Sequence, residues 1–178
     1  WMFGGPRSRI SVGKRLGAGT YSFGFYYGKD TIGISGQDLA RVDNVVLLSS
    51  DGYTHLASAL GPGGRQDFED AVFPPAGWQT LGNNSWFRSA TNAFSGTRGQ
   101  YSAHSGPLAN SQWSELRTPN VSISTGDVLA FVYYVSIESY DKFYVKAYNS
   151  SGTFLTNLFV AAGIRLLRTC VAYPARHG

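Results

Sequence analysis

The chain reads as an all-β protein. Of its 178 residues 43% are apolar and 22 are glycine, the apolar positions fall in short alternating runs, and little repeats at helical spacing. Half-buried strands need that alternation because successive side chains point to opposite faces of a sheet, and the turns between them need the glycines. The length suits one domain, and the apolar fraction is enough to fill its core. No run of about 18 apolar residues could cross a bilayer as a helix, so no membrane span is expected. The chain starts at Trp1 rather than at a methionine, as expected of a mature or partial product.

Taken in order, residues 20–27 place Tyr21, Phe23 and Phe25 on one side, and residues 41–48 set Val42 and Val45 among polar neighbours before turning apolar. Both read as strands, joined by a Gly- and Ser-containing loop over 29–37. Residues 49–66, with Ser49-Ser50-Asp51-Gly52 and Gly61-Pro62-Gly63-Gly64, read as a linker, because Gly supplies positive φ and Pro removes a backbone donor. Further strands are expected over 67–72, 86–89, 100–105, 114–116, 128–136, 142–147 and 153–160, with a hairpin turn at Asn149-Ser150-Ser151-Gly152. Residues 22–27 and 129–134 echo one another, and two such strands can pair their rings on one inner face.

The formal charge is +4, but its distribution argues against nucleic acid. Arg7, Arg9, Lys14 and Arg15 cluster at the front and Arg165, Arg168 and Arg176 at the back, while residues 16–163 carry 8 basic and 11 acidic side chains. No RNA-binding aromatic motif or helix-turn-helix pattern accompanies the basic ends. Cys170 is the lone cysteine, so no internal disulfide can form.

Residues 67–148 contain Asp67-Phe68-Glu69-Asp70, Pro74-Pro75-Ala76-Gly77-Trp78, Tyr101-Ser102-Ala103-His104-Ser105-Gly106 and Ser136-Ile137-Glu138-Ser139-Tyr140-Asp141. With these motifs the stretch resembles the opening half of an extracellular jelly-roll module of the cleaved-adhesin and MAM-like (galactose-binding-like) kind. Residues 18–48, with Ala18-Gly19-Thr20-Tyr21, Phe25-Tyr26-Tyr27-Gly28-Lys29-Asp30 and Val42-Asp43-Asn44-Val45-Val46-Leu47, resemble its closing half. The halves stand in reversed order, and residues 1–16 and 155–178 fit no part of the pattern. The resemblance implies a jelly-roll sandwich. Two arrangements accommodate the order. A circular permutant could close through 49–66, since about 20 flexible residues span roughly 25 Å. Alternatively, strands of a neighbouring subunit complete the sandwich, giving a homo-oligomer or polymer by strand exchange.

The resemblance also implies structural calcium where the first strand meets the last. A hard cation of this kind takes several oxygens at roughly 2.3 to 2.6 Å. Carried onto this chain, the acidic ligands would be Glu69 and Asp43, with Asp67 or Asp70 and backbone oxygens near Ser105 in addition. The alternative is that Glu69 and Asp43 are solvated strand-end charges or pair with Arg88 or Arg41.

Little in the sequence points to catalysis. His55, His104 and His177 lack metal-ligand spacing, and no G-x-S-x-G elbow marks a nucleophile. Glu138 and Asp141 could be drawn as paired carboxylates, but their spacing on a strand-to-loop turn reads more simply as a polar turn network. Trp78 and Trp86 read as plugs at the ends of the core. Trp113 stands open between core and ligand, and with Asn110, Gln112 and Arg117 it forms the ligand-facing candidate, its ring available to a sugar and the polar groups to its hydroxyls. The expectation is a non-enzymatic adhesin-like or carbohydrate-binding module, extracellular or exposed at a cell or virion surface, with a glycan or cell-surface protein as partner. The alternatives are a structural subunit of a surface layer, filament or phage decoration layer, and an accessory domain of a secreted hydrolase.

Overall fold

Phe23, Phe25 and Tyr27 alternate along the first strand and all three are buried, so one side of it is committed to a core from its first turn onward. A computed structural model describes residues 16–33, 37–49, 57–91 and 100–172, the segment 164–172 by backbone alone. The strands are β1 (Gly19–Gly28), β2 (Leu39–Leu48), β3 (Arg65–Gln66), β4 (Gln79–Gly82), β5 (Phe87–Ser89), β6 (Ser102–His104), β7 (Trp113–Arg117), β8 (Val121–Ile123), β9 (Val128–Ser136), β10 (Lys142–Asn149), β11 (Phe154–Ala161) and β12 (Ile164–Ala172). They form two packed antiparallel sheets. The first has the order β11-β10-β1-β7-β4 with β8 also against β1; the second has the order β12-β9-β2-β6-β5 with β3 also against β2. The fold is an all-β sandwich.

The segment that resembles a closing half supplies the central strand of each sheet. β1 lies between β10 and β7, and β2 lies between β9 and β6, so the two halves of the sequence close on each other within one chain. The echo between residues 22–27 and 129–134 has a different meaning from the one expected. The two strands belong to opposite sheets and meet across the core, where Phe25 and Phe131 pack edge to face at 5.3 Å.

Local chemistry explains the irregularities. Val42 and Val45 both face the core although three residues apart, because the chain bulges at Asp43–Asn44, with Asn44 at φ +50°. β7 and β8 are one strand interrupted at Pro119, which has no N–H. There Thr118 bridges the gap, its N–H donating to the Phe23 carbonyl and its Oγ1 accepting from the Phe23 N–H, both at 2.9 Å. Asn149 closes the expected hairpin: its Oδ1 accepts from the N–H groups of Ser151 and Thr153, and Gly152 takes φ +82°.

Two expectations are corrected. Residues 67–72 form no strand: Phe68 sits at φ +57°, and the Arg88 guanidinium donates to the Phe68 and Glu69 carbonyls at 2.7 Å, bending the segment so that the Phe68 ring meets Trp78. The described end of the supposed linker, residues 57–66, is packed rather than free. Leu60 is buried, and its carbonyl accepts from Trp78 Nε1 at 3.0 Å and Gln66 Nε2 at 3.3 Å. Asp51, Gly52, His55 and His177, and the basic residues Arg7, Arg9, Lys14, Arg15 and Arg176, lie outside the described residues.

Candidate functional site

Because Phe23, Phe25 and Tyr27 of β1 point inward, Gly24, Tyr26 and Gly28 face outward, and the strand register assigns their neighbours. Tyr144 lies opposite Tyr26 on one side and Glu115 on the other, with Val160 and Leu81 next outward. Trp113 and Lys142 flank Gly28; Arg117 and Lys146 flank Gly24. The Tyr26 and Trp113 rings stack at 5.5 Å with an interplanar angle of 16°, and Tyr144 lies 6.0 Å from Tyr26. Trp113 is 38% exposed, Phe154 49% and Val160 55%. None of these belongs to the core, so the outer face of the first sheet carries its own aromatic surface.

Glycines make this surface flat. A Cβ at Gly28 would stand 2.8 Å from the Tyr26 ring, and one at Gly24 2.5 Å from the Glu115 carboxyl carbon. Ring and carboxylate therefore lie over backbone that only glycine leaves open. Glu115 is buried there, accepting from the Tyr148 hydroxyl at 2.5 Å and from Arg117 Nε at 2.7 Å. Burial, and then the bond to Glu115, push the Tyr148 hydroxyl well above its usual pKa, so it remains a donor. The Arg117 guanidinium lies 3.8 Å from the Tyr148 ring centroid.

Lys146 is held differently. Its ammonium stands 3.2 Å from the Tyr26 centroid, 5.8 Å from Tyr144 and 6.0 Å from Phe154, and it makes no salt bridge among the described residues. Burial lowers its pKa, Glu115 pulls it back up, Arg117 adds to the lowering, and the net shift is downward.

Of the expected ligand residues, the structure brings Trp113 and Arg117 to this face and leaves the other two in the adjoining turn. Asn110 Nδ2 donates to the Thr31 carbonyl at 3.0 Å, and Gln112 Oε1 accepts from the Ala109 N–H at 2.9 Å, so both amides fasten loops. Tyr26, Tyr144 and Lys146 were not expected as site residues. The outward positions of strand 20–27, with Tyr26 between two glycines, carried that signal.

A second cluster closes one end of the sandwich. Lys29 is buried, 2.6 Å from Asp38 and 3.7 Å from Asp141, and Tyr27 donates to both carboxylates, at 2.5 and 3.2 Å. Burial alone would lower the Lys29 pKa, but Asp38 and Asp141 outweigh it and hold the ammonium charged. Asp30, Glu138 and Asp141 each bring one oxygen within 4.8 Å of the others. Burial, and then Asp30 and Asp141, raise the pKa of Glu138. This oxygen-only set could hold a hard cation, although Asp141 already accepts from the Asp30 N–H, Tyr27 and Lys29. Of the two residues read as a polar turn network, Asp141 makes these bonds, while Glu138 stands nearby.

The calcium ligands expected from the sequence lie beside the second sheet. Asp43 is buried, and that burial, with the charges of Asp67 and Glu69, pushes its carboxyl up to about 8 against the opposing N–H of Asn44. At neutral pH it is therefore mostly protonated. Asp67 pairs with Arg65 at 3.3 Å, Glu69 Oε1 accepts from the Tyr101 N–H at 2.9 Å, and Asp70 is exposed. Ser105 bonds Ala40 through both its N–H and its Oγ. These carboxylates are near enough to feel one another, but they do not form a tight oxygen cluster like that of Asp30, Glu138 and Asp141.

On the same outer face Ser102 Oγ and His104 Nε2 stand 2.9 Å apart, the spacing of a nucleophile and its base. Both are buried, and His104 is held neutral, its pKa lowered to about 4 by burial and by Arg41. Comparison with known proteins finds no matching family model, no similar curated protein and no similar solved structure.

Proposed function

We propose that this chain is a non-enzymatic binding module that takes a glycan on the outer face of its first sheet, at a cell or virion surface. The observation that carries the reading is the flat, half-exposed stack of Trp113 on Tyr26, with Tyr144 beside it, on a face separate from the core. Pyranose rings have an apolar side that such rings cover, and Arg117 stands on the same face for hydroxyls. The jelly-roll connectivity and permuted order of the halves belong to the same reading. Glycan-array screening followed by calorimetry on the best hit tests it. Wild-type protein should bind, and Trp113→Ala should bind at least about tenfold more weakly while staying folded, its melting temperature lowered by a few degrees at most. An array without hits, or a Trp113→Ala variant that binds equally well, overturns it.

A structural calcium ion belongs to the same proposal, and Asp30, Glu138 and Asp141 are the residues whose donor chemistry fits it. Calcium should then raise the melting temperature of the wild type but not of Glu138→Gln; no rise in either removes the ion from the reading.

One observation favours the structural-subunit reading as an alternative. β11 forms an edge of the first sheet without a charged residue or proline, and it exposes Phe154, Leu155 and Val160. Light scattering decides between them: a concentration-dependent ladder supports assembly, and a monomer near 19.3 kDa does not.

A further inference from the structure

We infer that the glycan taken on this face is an acidic one, carrying carboxylate or sulfate groups; the inference rests on the glycan reading above. It comes from the charge of the face. Residues 16–163 are acidic on balance, with 8 basic side chains against 11 acidic ones. The outer face of the first sheet reverses that balance: Lys142, Lys146 and Arg117 stand on it, against Glu115 alone. Glu115 is buried and bonded to Arg117 and Tyr148, and its charge also acts on Lys146, so one carboxylate faces three cations and the face stays basic on balance.

The two lysines remain. Lys142 donates to the Ser139 carbonyl at 2.6 Å and forms no salt bridge among the described residues. Lys146 stands over ring faces, Tyr26 foremost, with Glu115 as the carboxylate whose charge acts on it. A half-buried ammonium over aromatic rings gains less than one in a salt bridge, and burial lowers its pKa by more than Glu115 raises it. The geometry around it matches a charged sugar. Lys146 stands across Gly24 from Arg117, and Lys142 stands across Gly28 from Trp113. A ring lying against Trp113 thus has Lys142 in its own row across the sheet, while Lys146, two outward rows along, reaches back over Tyr26. A neutral sugar would use the rings and leave the excess positive charge of the face uncompensated.

The test compares acidic and neutral glycans that differ in charge alone: oligogalacturonate against its methyl ester, and sialylated or sulfated oligosaccharides against their desialylated or desulfated counterparts. These are titrated into wild type, Lys146→Gln, Lys142→Gln and Trp113→Ala, each checked to be fully folded at the temperature of the titration. The expected result is that an acidic probe binds at least about tenfold more tightly than its neutral counterpart, the value of one charge-assisted contact. That preference should shrink as salt rises from about 50 to 500 mM, where screening shortens the reach of charge. Lys146→Gln or Lys142→Gln should lose it, while Trp113→Ala weakens both classes of probe.

Acidic and neutral probes that bind wild type equally, or a preference untouched in both lysine variants, overturn the acidic inference and leave the glycan reading standing. No binding by any probe, acidic or neutral, overturns the glycan reading itself.

Discussion

On the first sheet the outward side chains Tyr26, Trp113, Tyr144 and Lys146 are half-buried or exposed, whereas on the second the outward Arg41, Asp43, Ser102 and His104 are all buried. Both rows point away from the same aromatic core, and both are aligned by a central strand from the front of the chain. They differ in what their side chains can still do. Rings on the first face have surface left for a ligand. Polar groups on the second have lost their water, so they act on stability instead.

The widest gap between core and open face should appear in the tryptophans. Trp78 is buried, stacked 6.4 Å from Phe25 with Nε1 bonded to the Leu60 carbonyl, and Trp78→Ala should cost about 3 to 5 kcal/mol. Trp113→Ala should cost about 1 kcal/mol or less, because the ring is already partly in water and loses mainly one stacking contact. Urea unfolding of the two variants measures the difference, and equal losses would mean that the Trp113 face is part of the core.

Glu115 is the exception that sharpens the contrast, a buried carboxylate on the open face. Glu115→Ala strands Arg117 and the Tyr148 hydroxyl and should cost about 3 kcal/mol. Gly24→Ala presses a methyl against the same carboxylate and should cost about 2 kcal/mol by displacing it. If both variants unfold at wild-type urea concentrations, the network contributes nothing and the flatness of the face does not depend on it.

How far the sequence carried differs between the two faces for a physical reason. Alternation located the long strands, because burial on one side imposes a period of two: residues 128–136 match β9, and Val42 and Val45 face the core as read. It passed over β3, β4 and β8, two to four residues long and too short to show a period, and it met the equally short β5 and β6 only inside the longer stretches 86–89 and 100–105. β12 was also passed over; it fell in a segment set aside for its basic residues. In the sequence Trp113 and Arg117 read with Asn110 and Gln112 as one ligand-facing loop; the strand runs through both, so only these two, four residues apart, share the face. Lys146 was not legible, since its place over Tyr26 depends on pairing between strands more than a hundred residues apart in sequence. The Asp30, Glu138 and Asp141 cluster was legible only in part, as Glu138 and Asp141 lie in one turn and Asp30 reaches them from another loop.

The effect that isolates the buried face is a dependence of stability on pH set by Asp43 and His104. Folding raises the Asp43 pKa from 3.8 to about 8, so the folded chain keeps a proton that the unfolded chain has lost. Its stabilising share is whole below pH 3.8 and drains away as pH rises toward 8. Folding lowers the His104 pKa from 6.5 to about 4, so its share is whole above pH 6.5 and drains away as pH falls toward 4. Between pH 4 and 6.5 the two slopes oppose and the profile should be nearly level. From pH 6.5 to 8 the aspartate acts alone, and at about 1.4 kcal/mol per pH unit stability should fall by about 2 kcal/mol. Asp43→Asn, which is neutral at every pH, should remove that fall while exposing the His104 slope at lower pH. Urea unfolding at half-unit pH steps reads both limbs. A wild-type profile level from 6.5 to 8, or a fall that persists in Asp43→Asn, would show that the carboxyl ionises freely and that the second face is wetter than its burial implies.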